Sequence, residues 1–379
     1  MSEPNIFTQE IKKNLEIDKN LNKNTDKLLL ENNIFNNENS YIYKAKNKDD
    51  TLVVKIAEIK DGNILEVKIL NNTNNIIKKN ISPHFPYKYY SKSFTNYIDV
   101  NLSTIFTNIT RIELPTTLND KFLIYSYEFF DGNFENYIQT IISEKENEKI
   151  KNKFILNALL QIFISILSYH SLGYLHNDCH TRNFIYKNVN ADGYIKYNIY
   201  GNILYLENLG FIWAILDYED TKLMISENMI LINKRYKINY NKYMYDYLLL
   251  YNILCKEYNS IINLSNNKTL TDIYNYLNCV NNCNCVGEYY EKLIFTYMEQ
   301  FFDTPPEGSE IINEVPYIVP FNYEMEMDGG GKKQKYNKTN IIKNINGKNK
   351  TIYLKENCGK TQYVKHNSQY IKLTEYRKK

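Results

Sequence analysis

Apolar and polar positions follow two periods along this chain, and the switches between them mark its elements. Residues 40–45 (Ser-Tyr-Ile-Tyr-Lys-Ala) and 51–57 (Thr-Leu-Val-Val-Lys-Ile-Ala) are runs of β-formers joined by the turn-like Asn47-Lys48-Asp49-Asp50, which predicts a hairpin. In the second run Val53, Lys55 and Ala57 share a face, because side chains alternate along a strand. From Asn63 to Leu70 the apolar residues Leu65, Ile69 and Leu70 take helical spacing, with Glu66 beside the stripe. Residues 122–130 read as a buried strand, broken by Asp131-Gly132-Asn133, and a helix starts at Phe134. The strongest helical period covers residues 153–172, through Phe154, Leu159, Phe163, Ile166 and His170, and Gly173 is placed as a left-handed stop. There His170 reads as a core histidine. Residues 211–216 predict a further buried strand that runs straight into Asp217-Tyr218-Glu219. Residues 1–35 are polar and partly helical in pattern.

Composition changes this picture in three ways. The 379 residues suffice for two or three domains with a real core. At 43% apolar and 23% charged residues the chain is ordinary globular material, which excludes wholesale disorder. No run of about 18 uncharged apolar residues is evident, so no membrane partner is expected. The first ten residues lack a charged-then-apolar pattern, so an intracellular rather than secreted protein is expected. Six cysteines in this length are no disulfide framework. The chain holds 56 Asn and 36 Tyr but only 5 Ala, a bias towards A/T-rich codons, so Asn is a poor turn marker here.

Charge is divided unevenly. From Lys332 to Lys379 there are 14 basic and 2 acidic residues, a net of +12, against +3 for the whole chain. Gly329-Gly330-Gly331 sits at the break, as a flexible linker would. An acidic body followed by a small basic module is expected.

The densest chemistry lies at residues 174–186, where His176-x-Asp178-x-x-x-x-Asn183 falls between a helix and a β-run. Taken alone, Lys55 reads as a solvated lysine on an edge strand and Glu66 as a surface glutamate. Taken in order with 176–183 and Asp217-Tyr218-Glu219, they resemble the protein-kinase-like superfamily over roughly residues 35–300. Val-Val-Lys-Ile at Lys55 resembles the β3 lysine motif, Glu66 the helix glutamate that pairs with it, and 176–183 the catalytic loop. Tyr127 to Gly132 resembles the hinge between lobes, with Glu128 beside the nucleotide, and Asp246 the aspartate that buttresses the catalytic loop. Ser82-Pro83-His84-Phe85-Pro86 and the general style resemble serine/threonine kinases of giant DNA viruses, which places the protein in host cytoplasm or virion.

The resemblance implies an α+β, two-lobed protein-kinase-like fold, with a β-rich N-lobe, a helical C-lobe and a small basic β tail module. The expected divisions are an extension (1–34), N-lobe (35–130), C-lobe (131–327), linker (328–340) and tail (341–379). It implies ATP and Mg²⁺ as cofactors and a protein hydroxyl as acceptor. Lys55 grips phosphates and Glu66 keeps it charged. Asn183 and Asp217 are hard oxygen ligands for Mg²⁺, and Asp178 orients the acceptor hydroxyl and takes its proton. His176 is structural, and His180 stands where a lysine normally contacts the γ-phosphate.

Several positions depart from the family pattern. Residues 35–40 hold no glycine where a phosphate loop is expected. Glu219 replaces a glycine and Asn177 an arginine, and the stretch from Asp217 to Asp246 has no Ala-Pro-Glu. His-Asn-Asp followed by Asp-Tyr-Glu also resembles choline and ethanolamine kinases and, more loosely, aminoglycoside phosphotransferases. A pseudokinase without turnover is the remaining alternative. Cys279, Cys283 and Cys285 read as free thiols rather than a zinc site, because the spacing is unusual for zinc and Cys255, at moderate distance, is the only candidate for a fourth ligand. Cys179 reads as an apolar filler. The tail shows short β-runs at 351–354, 362–365 and 369–373 and resembles the small basic adaptor modules of large DNA viruses. Its charge suits nucleic acid or an acidic protein surface.

Overall fold

The hairpin expected around residues 47–50 forms, with Lys48 at φ +54° in its turn, and it lies inside a larger sheet. The structure is a computed structural model. It describes residues 6–23, 27–36, 40–94, 105–107, 121–199, 202–223, 230–233, 238–262, 271–272, 301–302, 304–313, 316–319, 336–345, 348–355, 362–366 and 369–372. The glycines of the expected linker, the tip of the expected phosphate loop (37–39), and Cys279, Cys283 and Cys285 lie outside these residues. The chain divides into two units, Met1–Tyr323 and Glu324–Lys379.

In the first unit, helix α1 (Ile6–Asn22) precedes strands β1 (Leu29–Asn36), β2 (Ser40–Asn47) and β3 (Asp50–Glu58). Helix α2 (Asp61–Lys78), β4 (Lys88–Phe94) and β5 (Phe122–Glu128) follow. The five strands form one antiparallel sheet in the order β1-β2-β3-β5-β4. β3 is therefore flanked on both sides, and Val53, Val54, Ile56 and Ala57 are all buried. This corrects the edge-strand reading of Lys55, which is only 5% exposed. β1 emerges from the stretch read as a polar extension. Its apolar anchors Leu28 and Leu30 are buried but diluted by neighbouring Asn and Glu. α1 is tied to β4 by Tyr89 Oη donating to Asn14 Oδ1 (2.8 Å) and Asn22 Nδ2 donating to the Tyr89 carbonyl (2.8 Å). α2 continues eight residues past Leu70, where an Asn-rich sequence conceals its buried stripe of Thr73, Asn74, Ile76 and Ile77. Asn74 earns its place there by pairing both ways with the Lys88 backbone (2.6 and 2.8 Å).

The second half of this unit opens with β6 (Gly132–Asn133), whose Asn133 side chain caps α3 (Phe134–Asn136). A π-helical turn (Tyr137–Ile142) continues it. A Cβ at Gly132 would lie 2.7–2.8 Å from the Tyr186 ring, so any side chain there would have to displace the ring. α4 (Glu148–Ser171) begins where the Asn147 side chain accepts from the N–H groups of Lys149 and Ile150. It ends at Gly173, with φ +81° and its N–H donating to the His170 carbonyl (2.9 Å). Residues 155–170 of α4 are all buried. By length and composition α4 could cross a membrane, which corrects the expectation that no stretch qualifies; its apolarity is accounted for by burial on nearly all sides.

Strands β7 (Tyr174–Leu175), β8 (Phe184–Asn188), β9 (Tyr194–Ile199), β10 (Asn202–Glu207), β11 (Phe211–Ile215) and β12 (Lys222–Leu223) come next. A hairpin of β13 (Ile230–Asn233) and β14 (Ile238–Asn241) leads into α5 (Lys242–Glu257) and α6 (Asn259–Ile262). β15 (Phe301–Phe302) and β16 (Tyr317–Val319) join β10 and β9 in a four-stranded sheet, β15-β10-β9-β16. The class is α+β, but the helical second lobe needs correction: alternate residues Ile195, Tyr197 and Ile199 are fully buried and anchor a second sheet there. In a further three-stranded sheet, β11-β8-β6, Trp213 on β11 packs edge-on against Phe134 (5.2 Å) and Tyr137 (5.0 Å).

The second unit is an antiparallel meander of β17 (Tyr336–Ile345), β18 (Lys348–Lys355), β19 (Gln362–His366) and β20 (Gln369–Lys372). β17 begins inside the stretch read as linker.

His84 connects the segment after α2 to the second half. Its Nδ1 lies 2.7 Å from the Trp213 carbonyl and so carries the proton, while Nε2 accepts from Tyr197 Oη (2.9 Å). Burial lowers its pKa from 6.5 to about 4. The folded chain thus prefers neutral His84, a stabilisation present above pH 6.5 and lost as pH falls through about 4. The loss amounts to about 3 kcal/mol. In urea melts the stability gap between wild type and His84→Gln is expected to narrow across that window; a constant gap would show that His84 does not titrate as described.

Candidate active site

Lys55 projects from the middle of β3, opposite Tyr125 on β5. Its Nζ donates to Glu66 Oε2 at 2.8 Å, and Tyr125 Oη donates to the same oxygen at 2.6 Å. Glu66 reaches Lys55 from the second turn of α2, and both side chains are almost fully buried. Lys55 also donates to Glu219, whose side chain is 40% exposed. Burial works against the Lys55 charge, but Glu66, Tyr125, Glu219 and Asp217 outweigh it, and its pKa lies well above the ordinary lysine value. The first turn of α2 rests on the same segment: a methyl at Gly62 would lie 3.2 Å from the Glu219 carbonyl oxygen.

Carboxylate oxygens of Glu66, Asp217 and Glu219 all lie within 4.8 Å of one another. Such a set of hard anionic oxygens fits a divalent cation like Mg²⁺. Asp217 takes φ +67°, a left-handed conformation that a non-glycine residue holds only when its surroundings fix it. Those surroundings are visible. Tyr218 is fully buried, stacks on Tyr169 (5.3 Å) and donates from Oη to the Ile215 carbonyl (2.5 Å). Burial raises the Asp217 pKa, with Glu219 and Asp178 adding to the effect and Lys55 opposing it.

The loop after β7 is held by one carboxylate from α5. Asp246, wholly buried, accepts from the backbone N–H groups of His176 (2.9 Å) and Asn177 (2.8 Å) and from His170 Nε2 (2.7 Å). Burial would raise its pKa, but the hydrogen bond and charge of His170 and the His176 contacts hold it below the usual value. Asn177 adopts φ +69°, which asparagine tolerates better than most residues. His176 Nε2 donates to the Leu216 carbonyl at 2.9 Å, tying this loop to the one carrying Asp217. Its Nδ1 is buried and makes no hydrogen bond, and burial lowers the ring's pKa. A neutral ring used in this way is a strut, not a base.

Asp178 follows, beside a polar cavity of about 330 Å³ shared with Glu135, Asn177, His180, Arg182 and Tyr258. Asn183 Nδ2 donates to the Asp178 carbonyl (2.9 Å) and approaches Asp178 Oδ2 (3.3 Å). His180 caps the short 3₁₀ turn at 181–183 and has Nε2 3.3 Å from Asp178 Oδ2. Burial tends to raise the Asp178 pKa, but the hydrogen bond and charge of His180 and the Asn183 amide outweigh it. The carboxylate stays ionised below the ordinary aspartate range. Cys179 is fully buried, and burial pushes its thiol well above the usual value, so it is no nucleophile.

The structure brings Lys55, Glu66 and Asp217 together, and sets Asn183 against Asp178. The side chain of Glu128 goes elsewhere: strand alternation turns it to the face opposite Tyr125. There it accepts from Lys187 Nζ (2.6 Å) and the Tyr87 N–H (3.2 Å). Glu219, read only as a lost glycine, is the partner of Lys55 that sequence reasoning missed. A lone carboxylate on a turn has no periodicity to announce its partner.

No protein-family model matches this sequence, and no curated protein matches it. Among solved structures, the BubR1 kinase domain aligns with 73% of this chain and 81% of its own length, at 12% identity and a TM-score of 0.47.

Removing the Asp246 carboxylate leaves two loop N–H groups and a buried imidazole without their acceptor. Asp246→Ala is expected to lose about 3–5 kcal/mol. Urea denaturation checks this; a change under 1 kcal/mol would mean that other contacts hold the loop.

Proposed function

We propose that this chain is a phosphotransferase of protein-kinase-like fold that moves the γ-phosphate of ATP to a serine or threonine hydroxyl of a protein. The observation that carries the reading is the pairing of two arrangements: a buried lysine fixed by Glu66 beside Asp217, and an ionised Asp178 opening onto a polar cavity. Phosphoryl transfer asks a protein chiefly for positioning and charge compensation.

Lys55 holds α- and β-phosphate oxygens, and Glu66 keeps its ammonium charged and aimed. Asp217 and Asn183 would hold Mg²⁺, with Glu219 as a further oxygen donor. When bound, the ion neutralises charge on the phosphates. Asp178 accepts a hydrogen bond from the acceptor hydroxyl and lines its oxygen up with the phosphorus. The acceptor oxygen forms the new P–O bond as the bond from Pγ to the β-phosphate oxygen breaks, and ADP leaves. The hydroxyl proton passes to Asp178 only as that new bond forms, as suits a carboxylate with a depressed pKa.

The cavity beside Asp178 favours one second reading. It carries Glu135 and Glu257 together with Tyr258, an acidic lining able to receive a small amino alcohol such as choline.

The test is transfer of labelled γ-phosphate, with Mg²⁺, to a mixed protein acceptor and separately to choline-like alcohols. Wild type is expected to label protein, and Asp178→Asn to reduce the rate by about 10²–10⁴-fold. Labelling of the alcohol alone would select the second reading. No transfer to either, with nucleotide still bound, would leave a binding module.

A further inference from the structure

Strand register sorts the residues of the basic unit onto two faces, since residues directly opposed in an antiparallel pair lie on the same face. Tyr336 opposes Lys355, and Lys338 opposes Tyr353. Tyr353 in turn opposes Tyr363. Tyr363 opposes Lys372, and Lys365 opposes Tyr370. One face therefore collects four tyrosines, one from each strand. Four lysines, again one from each strand, fall on the same face, each set across from a tyrosine. Most of the aliphatic residues fall on the other face: Ile352, Val364 and Ile371 are opposed in one row, and Leu354 shares their face with Ile345, Lys343, Lys348 and Lys350, while Ile342, opposed to Thr351, falls on the tyrosine–lysine face. The four described strands contain no Asp or Glu.

We infer that the tyrosine–lysine face of this meander binds single-stranded nucleic acid without sequence preference. Aromatic rings on a sheet offer stacking surfaces to unpaired bases, and interleaved cations track the phosphate backbone. An acidic protein surface would also be drawn by a net charge of +12. It would have no use, however, for a tyrosine across from each of the four lysines Lys338, Lys355, Lys365 and Lys372. A duplex hides its base faces, so it could engage the lysines but not the rings. Ile352, Leu354, Val364 and Ile371 are placed by the register on the face opposite the four tyrosines. This inference is independent of phosphotransfer.

The test uses the full chain and fluorescence anisotropy with a labelled 20-nucleotide oligo(dT), the matching oligo(U) and a 20-base-pair duplex. Both single strands are expected to bind, and the duplex at least about tenfold more weakly. The slope of log K against log salt is expected near −3, from about −0.7 per phosphate and four lysines. Tyr353→Thr with Tyr363→Thr should weaken oligo(dT) about tenfold at unchanged slope, while Tyr353→Phe with Tyr363→Phe keeps the affinity. Lys355→Gln with Lys365→Gln should flatten the slope by roughly 1.4. Equal affinity for duplex and single strand would overturn the inference without any variant. So would displacement of oligo(dT) by poly-glutamate as readily as by unlabelled oligo(dT), which would point to an acidic protein partner, and so would salt-insensitive binding.

Discussion

The carboxylate of Asp246 is the fixed point from which the site is built. It sits on α5, accepts from two consecutive backbone N–H groups of the 176–177 loop, and takes a third hydrogen bond from His170 on α4. α5 is thereby set at hydrogen-bond spacing from the end of α4 and the loop that follows it, 69–76 residues earlier in the chain. A buried anion is tolerated only when donors surround it, so the arrangement is cooperative: each donor makes the site affordable for the others. From that anchor the order runs outwards. His176 fixes the Leu216 carbonyl, Leu216 N–H bonds back to the Asn183 carbonyl, and Asp178 and Asp217 are presented from the two loops so joined.

The other half of the site depends on a different balance. Lys55 has one partner that is buried and braced by Tyr125 and one that is partly exposed. Glu66 belongs to the architecture, since removing it would strand a charge in the core. Glu219 sits at the solvent edge, where water can replace it at small cost. The same ammonium can therefore keep its inner contact while exchanging its outer one for another anion.

Much of this was legible in the residues, for identifiable reasons. The β2–β3 hairpin, β5, α4 and β11 announce themselves because their apolar runs are long and bounded by strong breakers. Lys55, Glu66, Asp178, Asn183, Asp217 and Asp246 are readable as a set because their order and spacing are informative where each alone is not. What escaped was hidden by composition or needed three dimensions. Asn residues dilute the stripe of α2 beyond Leu70 and the anchors of β1, although Asn74 proves to be a buried pairing residue. The alternation of Ile195, Tyr197 and Ile199 was present but short. Glu128 could have been assigned to the far face from period-two alternation with Tyr125. The grip of Glu219 on Lys55 spans 164 residues and leaves no local trace.

The apolar character of α4 has a consequence for how the chain comes into being. Besides the π-helical turn at Tyr137–Ile142, its packing partners include β7, β11, α5, α6 and β16, which follow it in sequence, the last reaching Val319. At ribosomal speeds the helix leaves the exit tunnel on the order of ten seconds before the whole of its cover exists. For that interval it presents a bilayer-length greasy rod to the cell, with the aggregation and mis-sorting hazards of a membrane segment. Its full shielding is complete only once β11 and α5 have arrived.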